Sequence, residues 1–283
     1  NNHFNNSLRK YNNQLKELKT DIIYFGFRLW HLFCSKKKIL KDNLIDKFDL
    51  IIDLQSKLRN TIILKQFPCD NFYSSTFNFK FCNVRQDYLS SKYETKNIIL
   101  NIEKLLDTKI QHKKYDINKI DSIYFDEAKR LLPDKNYIGF SITQGNKYRK
   151  KSWPLEKFIN VAKEITKKNK TPVFFIEKEN IELIVKIKNE LNNALFPELE
   201  TTLSGPPLVS ALSTRLEKAI SIDNGIMHMI GLANIPMIVL FGPTNSKKFA
   251  PKINKIDILD SNLIYNSSDI SKISENDVLN LIK

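Results

Sequence analysis

Ser221-Ile222-Asp223-Asn224-Gly225-Ile226-Met227-His228, followed by Ile235-Pro236-Met237-Ile238-Val239-Leu240-Phe241-Gly242-Pro243-Thr244, is the passage on which the reading of this chain turns. It reads as strand, Asp-Asn-Gly turn, short helix, strand, Gly-Pro-Thr turn. Two neighbouring strands then end at their carboxyl edges in polar, glycine-containing loops. In open α/β sheets ligands bind at that edge. A loop that hands a strand to a helix N-terminus presents N–H groups to an anion such as a phosphate. The passage therefore predicts a nucleotide or phosphate site on an α/β sheet.

The flanking sequence repeats the same alternation. Upstream, Asn136–Ile142 reads as a strand and Pro154–Lys168 as a helix, with Pro154 at the first position, where its missing N–H costs nothing. Leu155, Phe158, Ile159, Ala162 and Ile165 form the buried stripe of that helix. Pro172–Ile176 is the next strand and Asn180–Asn192 the next helix; a short strand near Leu203 precedes Gly205-Pro206-Pro207 and another helix. Ser274-Glu275-Asn276-Asp277 resembles a capping box and opens a last helix that runs to Lys283. Strand alternating with helix at this spacing argues for βαβ units and a parallel sheet.

The first half reads less clearly. Asp21–Phe25 is a β-rich run, Phe48–Asp53 a buried strand, Ser56–Phe67 a helix stopped by Pro68, Thr76–Phe81 a weakly alternating strand, and Glu94–Asp107 an amphipathic helix. Residues 108–136 are polar, rich in lysine and broken by Pro133, which sets the domain boundary. Residues 1–133 and 134–283 are thus read as two domains.

Composition narrows the function. The 283 residues are 42% hydrophobic, enough for real cores. No apolar run approaches the roughly 18 residues needed to span a bilayer, and residues 1–20 carry no secretory signal. Cys34, Cys69 and Cys82 lack the pairing and spacing of a disulfide framework or zinc site, and fit a reducing compartment. The formal charge of +14 invites a nucleic-acid reading. Lysines scattered along amphipathic helices, in a chain equally rich in Asn and Ile, favour solvated faces instead. An anionic membrane surface or phosphorylated substrates remain compatible with that charge.

Only seven glycines occur, and Gly145, Gly205, Gly225 and Gly242 all follow predicted strands of the second half. Glycine suits sharp turns and close approach to a ligand. The loop Thr143–Pro154 is hydroxylated, contains Gly145 and is densely cationic, so Thr143, its N–H groups and its cations suit a diphosphate. Glu177 and Glu179 close the Pro172–Ile176 strand, where a carboxylate either accepts from a ribose diol or favours the next helix N-terminus. Asp223 would repel a phosphate directly and reads as the organiser of its loop. His228 lies one helical turn on and reads equally as a cleft residue or as an ordinary, partly buried histidine. GxxxxGK[ST], GxSxG, HExxH and GxGxxG are absent, which removes the usual support for P-loop, serine-hydrolase, metallohydrolase and dinucleotide chemistry.

Lys151-Ser152-Trp153-Pro154, Asp223-Asn224-Gly225-Ile226-Met227-His228 and Phe241-Gly242-Pro243-Thr244 together resemble the K-x-W-P, D-[ST]-G-x-x-H and F-G-P-T elements of the family 9 glycosyltransferases, the lipopolysaccharide heptosyltransferases. The likeness is specific over residues 136–283 and weaker at Phe48–Gln55. It implies a GT-B type fold, with two Rossmann-like domains of parallel sheets facing a central cleft. The N-terminal domain would take a lipid-linked saccharide acceptor and the C-terminal domain a nucleotide-sugar of the ADP-heptose type. By the same resemblance Thr143, Lys151, Asp223, Asn224, Gly225 and His228 would line the donor diphosphate, with Asn224 standing where the family has Thr or Ser. Glu179 would hold the ribose, and Gly242, Pro243 and Thr244 would form a loop of the cleft. The implied reaction is inverting transfer of a heptose-like sugar to a lipopolysaccharide core, with no metal and no cofactor beyond the donor. The alternative is a relative that holds the nucleotide-sugar without turnover. The implied location is the cytoplasm, with room for peripheral attachment to the inner membrane face; no nucleic acid and no protein partner is implied.

The family places its base, an Asp, in the first βα loop, inside a Gly-Asp segment. No such segment is found here, and the chain begins Asn1-Asn2-His3. The N-terminal domain is therefore expected to be incomplete, with the catalytic residue unassigned and Asp53, at a strand end, as its weak candidate.

Overall fold

A computed structural model describes residues 47–90, 95–111, 116–145 and 147–282. The β-rich run at Asp21–Phe25 and the expected start of the N-terminal domain lie outside the described residues. The chain divides into two compact units, Asn1–Lys113 and Lys114–Lys283.

In the first unit, strand β1 (Phe48–Asp53), helix α1 (Leu58–Lys65), strand β2 (Cys69–Ser74) and helix α2 (Thr95–Leu106) follow in order. β1 and β2 pair in parallel, with Leu50 opposite Asn71 and Asp53 opposite Ser74. Successive residues of a strand face opposite ways. Phe72 accordingly packs with Ile51, Ile63 and Phe67, while Tyr73 packs with Cys82, Ile102 and Leu105. The expected strand at Thr76–Phe81 is not formed. Phe77, Asn78 and Phe79 all adopt left-handed backbone, with φ of 48°, 53° and 64°, which no extended strand tolerates.

Asp53, the weak candidate for the base, lies at the end of β1. It is 2% exposed. One carboxylate oxygen accepts from the Gln55 and Ser56 N–H groups at 3.0 and 3.1 Å. The other accepts from the Thr61 hydroxyl at 2.6 Å and the Ser74 hydroxyl at 2.9 Å. Four donors occupy the carboxylate, so Asp53 organises the loop after β1 and joins it to β2 and α1, in place of serving as a base. Replacing it by Ala takes the acceptor from two partly buried N–H groups and two buried hydroxyls. Asp53→Ala is therefore expected to cost about 3 kcal/mol, read as a lowered midpoint in urea denaturation.

The second unit carries helix α3 (Ser122–Leu131), strand β3 (Tyr137–Ser141), helix α4 (Leu155–Lys167), strand β4 (Thr171–Phe174), helices α5 (Ile181–Glu190) and α6 (Pro206–Ser213), strand β5 (Leu216–Ile222), helix α7 (Gly225–Leu232), strand β6 (Met237–Phe241), helix α8 (Ser246–Phe249), strand β7 (Ile256–Asp260), helix α9 (Ser261–Tyr265) and helix α10 (Glu275–Leu279). α3 falls in the polar stretch before Pro133; its Ala128 joins Leu208, Leu212 and Val239 in one core. The segment at Leu203 is not a strand: its N–H is held by the Thr201 hydroxyl at 3.1 Å, and Gly205, at φ 93°, turns the chain into α6. The capping box at Ser274 and Asp277 forms in both directions, but its helix ends at Leu279.

All five strands are parallel, in the order β4-β3-β5-β6-β7. Both faces are covered, as parallel sheets require. Phe140, Phe174, Ile220, Ile222, Ile238 and Leu240 face α4, α5 and α10. Tyr137, Val173, Phe175, Ala219, Met237, Val239 and Phe241 face α3, α6 and α7. The chain is therefore α/β, with parallel sheets in each unit. From β3 the sheet grows outward first to β4 and then, on the other side, to β5. The order reverses between β3 and β5, and open α/β sheets bind ligands at such a switch point, outside the carboxyl ends of the strands.

Candidate functional site

The residues following β3 and β5 are the cationic loop and the Asp-Asn-Gly turn. Lys151 and Asp223 meet there as an ion pair, with side chains 12% and 7% exposed. The Lys151 N–H also donates to Gln144 Oε1 at 2.9 Å, which fixes the backbone that carries the ammonium. The ammonium lies 5.8 Å from the centre of the Phe249 ring of α8, within the range of cation–π attraction. An ammonium has three hydrogens, so one bond to Asp223 leaves donors for a ligand.

Asn224 is the residue where the structure is most specific. As N-cap of α7, its Oδ1 accepts from the Met227 N–H at 2.8 Å. Its Nδ2 donates to Ser141 Oγ at 2.7 Å and to the Thr143 carbonyl at 2.8 Å. Both amide hydrogens are thereby committed to the β3 side of the crevice. The Asn224 side chain thus forms a clasp between the two loops. The opening turn of α7 supplies N–H groups without intrahelical partners, beginning at Gly225.

The four loop glycines separate into different kinds. A Cβ on Gly145 or Gly225 would meet nothing within 4 Å, so both stand beside open space. A Cβ on Gly242 would lie 2.8 Å from Ile270 Cβ and 3.0 Å from the Ser268 carbonyl oxygen. Gly242 is thus required by packing, and Gly205 by its turn. The sequence alone makes no such distinction.

His228 is exposed on α7. Desolvation lowers its pKa below the ordinary 6.5; Asp223 opposes that shift and Lys151 adds to it. Its NMR titration midpoint is expected below 6.5, moving upward in Lys151→Ala, which removes one lowering cause. A wild-type midpoint at or above 6.5 would contradict this arrangement.

Glu179 is exposed after β4, the strand beside β3. Its place is one strand over from the Lys151–Asp223 pair, on the same sheet edge. Lys178 beside it donates to the Thr201 carbonyl, tying this loop to the segment that follows Pro197–Glu200. Burial pushes the Glu198 carboxyl up to about 7, with Glu177 and Glu179 adding to the shift and Lys178 opposing it. Thr143 contributes its carbonyl to the Asn224 clasp. Pro243 and Thr244 follow β6, on the far side of β5 from β3. Two residues of the site escaped the sequence reading, Gln144 and Phe249. Neither has a local signal, since each is brought to Lys151 by folding. Among the described residues no three His, Cys, Asp or Glu side chains converge as metal ligands, and no helix is long and apolar enough to cross a membrane.

The sequence model for glycosyltransferase family 9 (heptosyltransferase) matches residues 38–278. No curated protein sequence matches the chain. Among solved structures, a family 9 glycosyl transferase from Veillonella parvula is 21% identical with a TM-score of 0.63, over 85% of this chain and 74% of the other. E. coli heptosyltransferase WaaC with ADP is 13% identical with a TM-score of 0.64, over 93% and 83% of the two chains. E. coli ADP-heptose lipopolysaccharide heptosyltransferase II is 15% identical with a TM-score of 0.56, over 86% and 77%. At these identities the solved structures establish a shared fold.

Proposed function

The chain belongs to glycosyltransferase family 9, the heptosyltransferase family, and on that footing we propose that it transfers a heptose-like sugar from an ADP-heptose type donor to a lipopolysaccharide core acceptor. The observation that carries this reading is the Lys151–Asp223 pair at the β3/β5 switch point, beside the open approach at Gly225. In this reading Lys151, Thr143 and the N–H groups that begin α7 receive the donor diphosphate. Asp223 holds Lys151 in place, His228 stands beside the phosphates, and Glu179 takes the ribose hydroxyls.

Transfer is inverting. A base takes the proton from the acceptor hydroxyl, the hydroxyl oxygen bonds to the anomeric carbon, and the bond from that carbon to the diphosphate oxygen breaks. Negative charge then grows on the diphosphate, where the Lys151 ammonium and N–H dipoles stabilise it. That stabilisation is the work a divalent metal would otherwise do, so the reaction is read as metal-independent. The lipid-linked acceptor puts the reaction at the cytoplasmic membrane surface, with the protein attached peripherally. A second reading, donor binding without turnover, is favoured by one observation: the Asp53 carboxylate is fully occupied by hydrogen bonds.

The test is calorimetric binding of ADP-heptose, followed by transfer to a lipid-linked core saccharide in the presence of EDTA, with the product's anomeric configuration read by NMR. Binding with transfer supports the first reading, and binding without transfer the second. No binding overturns both.

A further inference from the structure

Trp153 follows closely on Lys151 in sequence and is 2% exposed. Its indole N–H donates to the Ile273 carbonyl at 3.0 Å, across 120 positions of sequence. Its ring meets the Phe158 ring edge to face, with centroids 4.8 Å apart. We infer that Trp153 is a positioning residue for Lys151, and that the segment Ser268–Ile273 is the support on which it bears. The inference rests on the reading that Lys151 receives the donor diphosphate, and it adds what holds the backbone beneath that ammonium.

Connectivity is the first argument. Lys151 follows Lys150, whose backbone is left-handed with φ 48°, a conformation that lysine adopts only at a cost. Upstream, the Lys151 N–H is tied to Gln144. Downstream, Ser152 is exposed and the first buried side chain is Trp153. Two residues of chain span at most about 7 Å, and Pro154 confines Trp153 to extended backbone. Fixing the indole therefore fixes, within that reach, the chain that carries the ammonium. Packing holds a ring in its pocket. A directional bond from the ring sets how the ring lies, and hence where the chain beside it runs.

The support is the second argument. The Ile273 carbonyl also accepts from the Lys157 ammonium at 2.8 Å, and the same ammonium donates to the Ser271 carbonyl at 2.7 Å. Lys157 lies 5.8 Å from the centre of the Trp153 ring. Ile270 and Ile273 are buried in one core with Trp153 and Phe158. The other end of the segment packs against the turn after β6, where a Cβ on Gly242 would meet the Ser268 carbonyl oxygen and Ile270. The Ser261 hydroxyl, at the start of α9, donates to the Asp269 carbonyl at 2.7 Å. One short stretch of chain thus braces both the turn at Gly242 and the entry to α4, which follows Lys151.

The experiment is a double-mutant cycle read by ADP calorimetry on the wild type, Trp153→Phe, Lys151→Ala and the double variant. Phenylalanine keeps an aromatic ring beside Phe158 and removes the N–H, while the Ile273 carbonyl retains Lys157. Melting is not the readout, because the smaller ring loses packing whatever its role. Trp153→Phe is expected to weaken ADP about fivefold in the wild-type background and to change nothing further in the Lys151→Ala background, since a residue that acts through Lys151 has no effect once the ammonium is gone. Equal fractional losses in the two backgrounds, or no loss in either, overturn the inference. A wild type that does not bind ADP, or a Lys151→Ala protein that binds it like the wild type, removes the donor-site reading and the inference with it. A second measurement needs no variant. Linked equilibria are reciprocal, so saturating ADP is expected to slow hydrogen exchange of the Trp153 indole N–H about fivefold. Exchange unchanged by bound ADP overturns the inference even where Trp153→Phe does not fold.

Discussion

Lys151→Ala is expected to lower kcat/KM by two to three orders of magnitude and to destabilise the fold. The first effect follows from position. Lys151 is the cation at the switch point, and loss of one preorganised donor to a growing anionic charge costs about 3 kcal/mol of transition-state stabilisation. The second follows from burial. With its partner gone, Asp223 is 7% exposed without its ammonium, and breaking a largely buried pair from one side costs on the order of 3 kcal/mol. Thermal denaturation and ADP calorimetry separate the two effects. Asp223→Asn is the informative companion, because it keeps the ammonium and removes only what holds it. It should retain ADP binding better than Lys151→Ala does. A folded Lys151→Ala protein that binds ADP like the wild type would remove Lys151 from the donor site.

Gly242→Ala and Gly225→Ala should part company. The added methyl at Gly242 meets backbone atoms of Ser268 and Ile270 and the Ile270 Cβ. Neither backbone atom can give way as a flexible side-chain end can. Overpacking of this kind costs about 2 to 3 kcal/mol, so Gly242→Ala should melt well below the wild type. The same methyl at Gly225 meets nothing and sits at the first position of α7, where Ala is the better helix former. Gly225→Ala should therefore keep its melting temperature while losing about tenfold in ADP affinity, since the methyl occupies space that a phosphate would approach. Equal melting temperatures for the two variants would contradict the packing at Gly242. Unchanged ADP affinity in Gly225→Ala would contradict the approach at Gly225.

The second unit was largely legible because its strands are short apolar runs between polar loops, as strands covered on both faces are. Met237–Phe241 is buried at every position and could be read from composition alone. The strand at Ile256–Asp260 was not read, because it lies at the sheet edge and only Asp260 in it is buried. Helix α3 was hidden by the polar residues around it, since Ala128 is the one fully covered residue of its span. The motif residues Lys151 and Asp223 meet at the switch point, but the partners of the individual side chains could not be read from the motifs. Whether a strand-end acid faces solvent or a neighbour's hydroxyls depends on residues far away in sequence. Asp53 meets Ser74, 21 positions on, and Lys151 meets Asp223, 72 positions on. Local patterns carry no record of those meetings.

The three bonds made by the Asn224 side chain have a thermodynamic consequence. A hydroxyl at that position can cap the helix, but it has a single hydrogen to give and cannot also grip both Ser141 and the Thr143 carbonyl. With the carboxamide in place, the backbone on either side of the crevice is already fixed before any donor arrives. Little chain ordering is then left to be charged against association. A donor reaching this crevice should meet a rigid receptor, with a binding rate set by encounter instead of by loop closure.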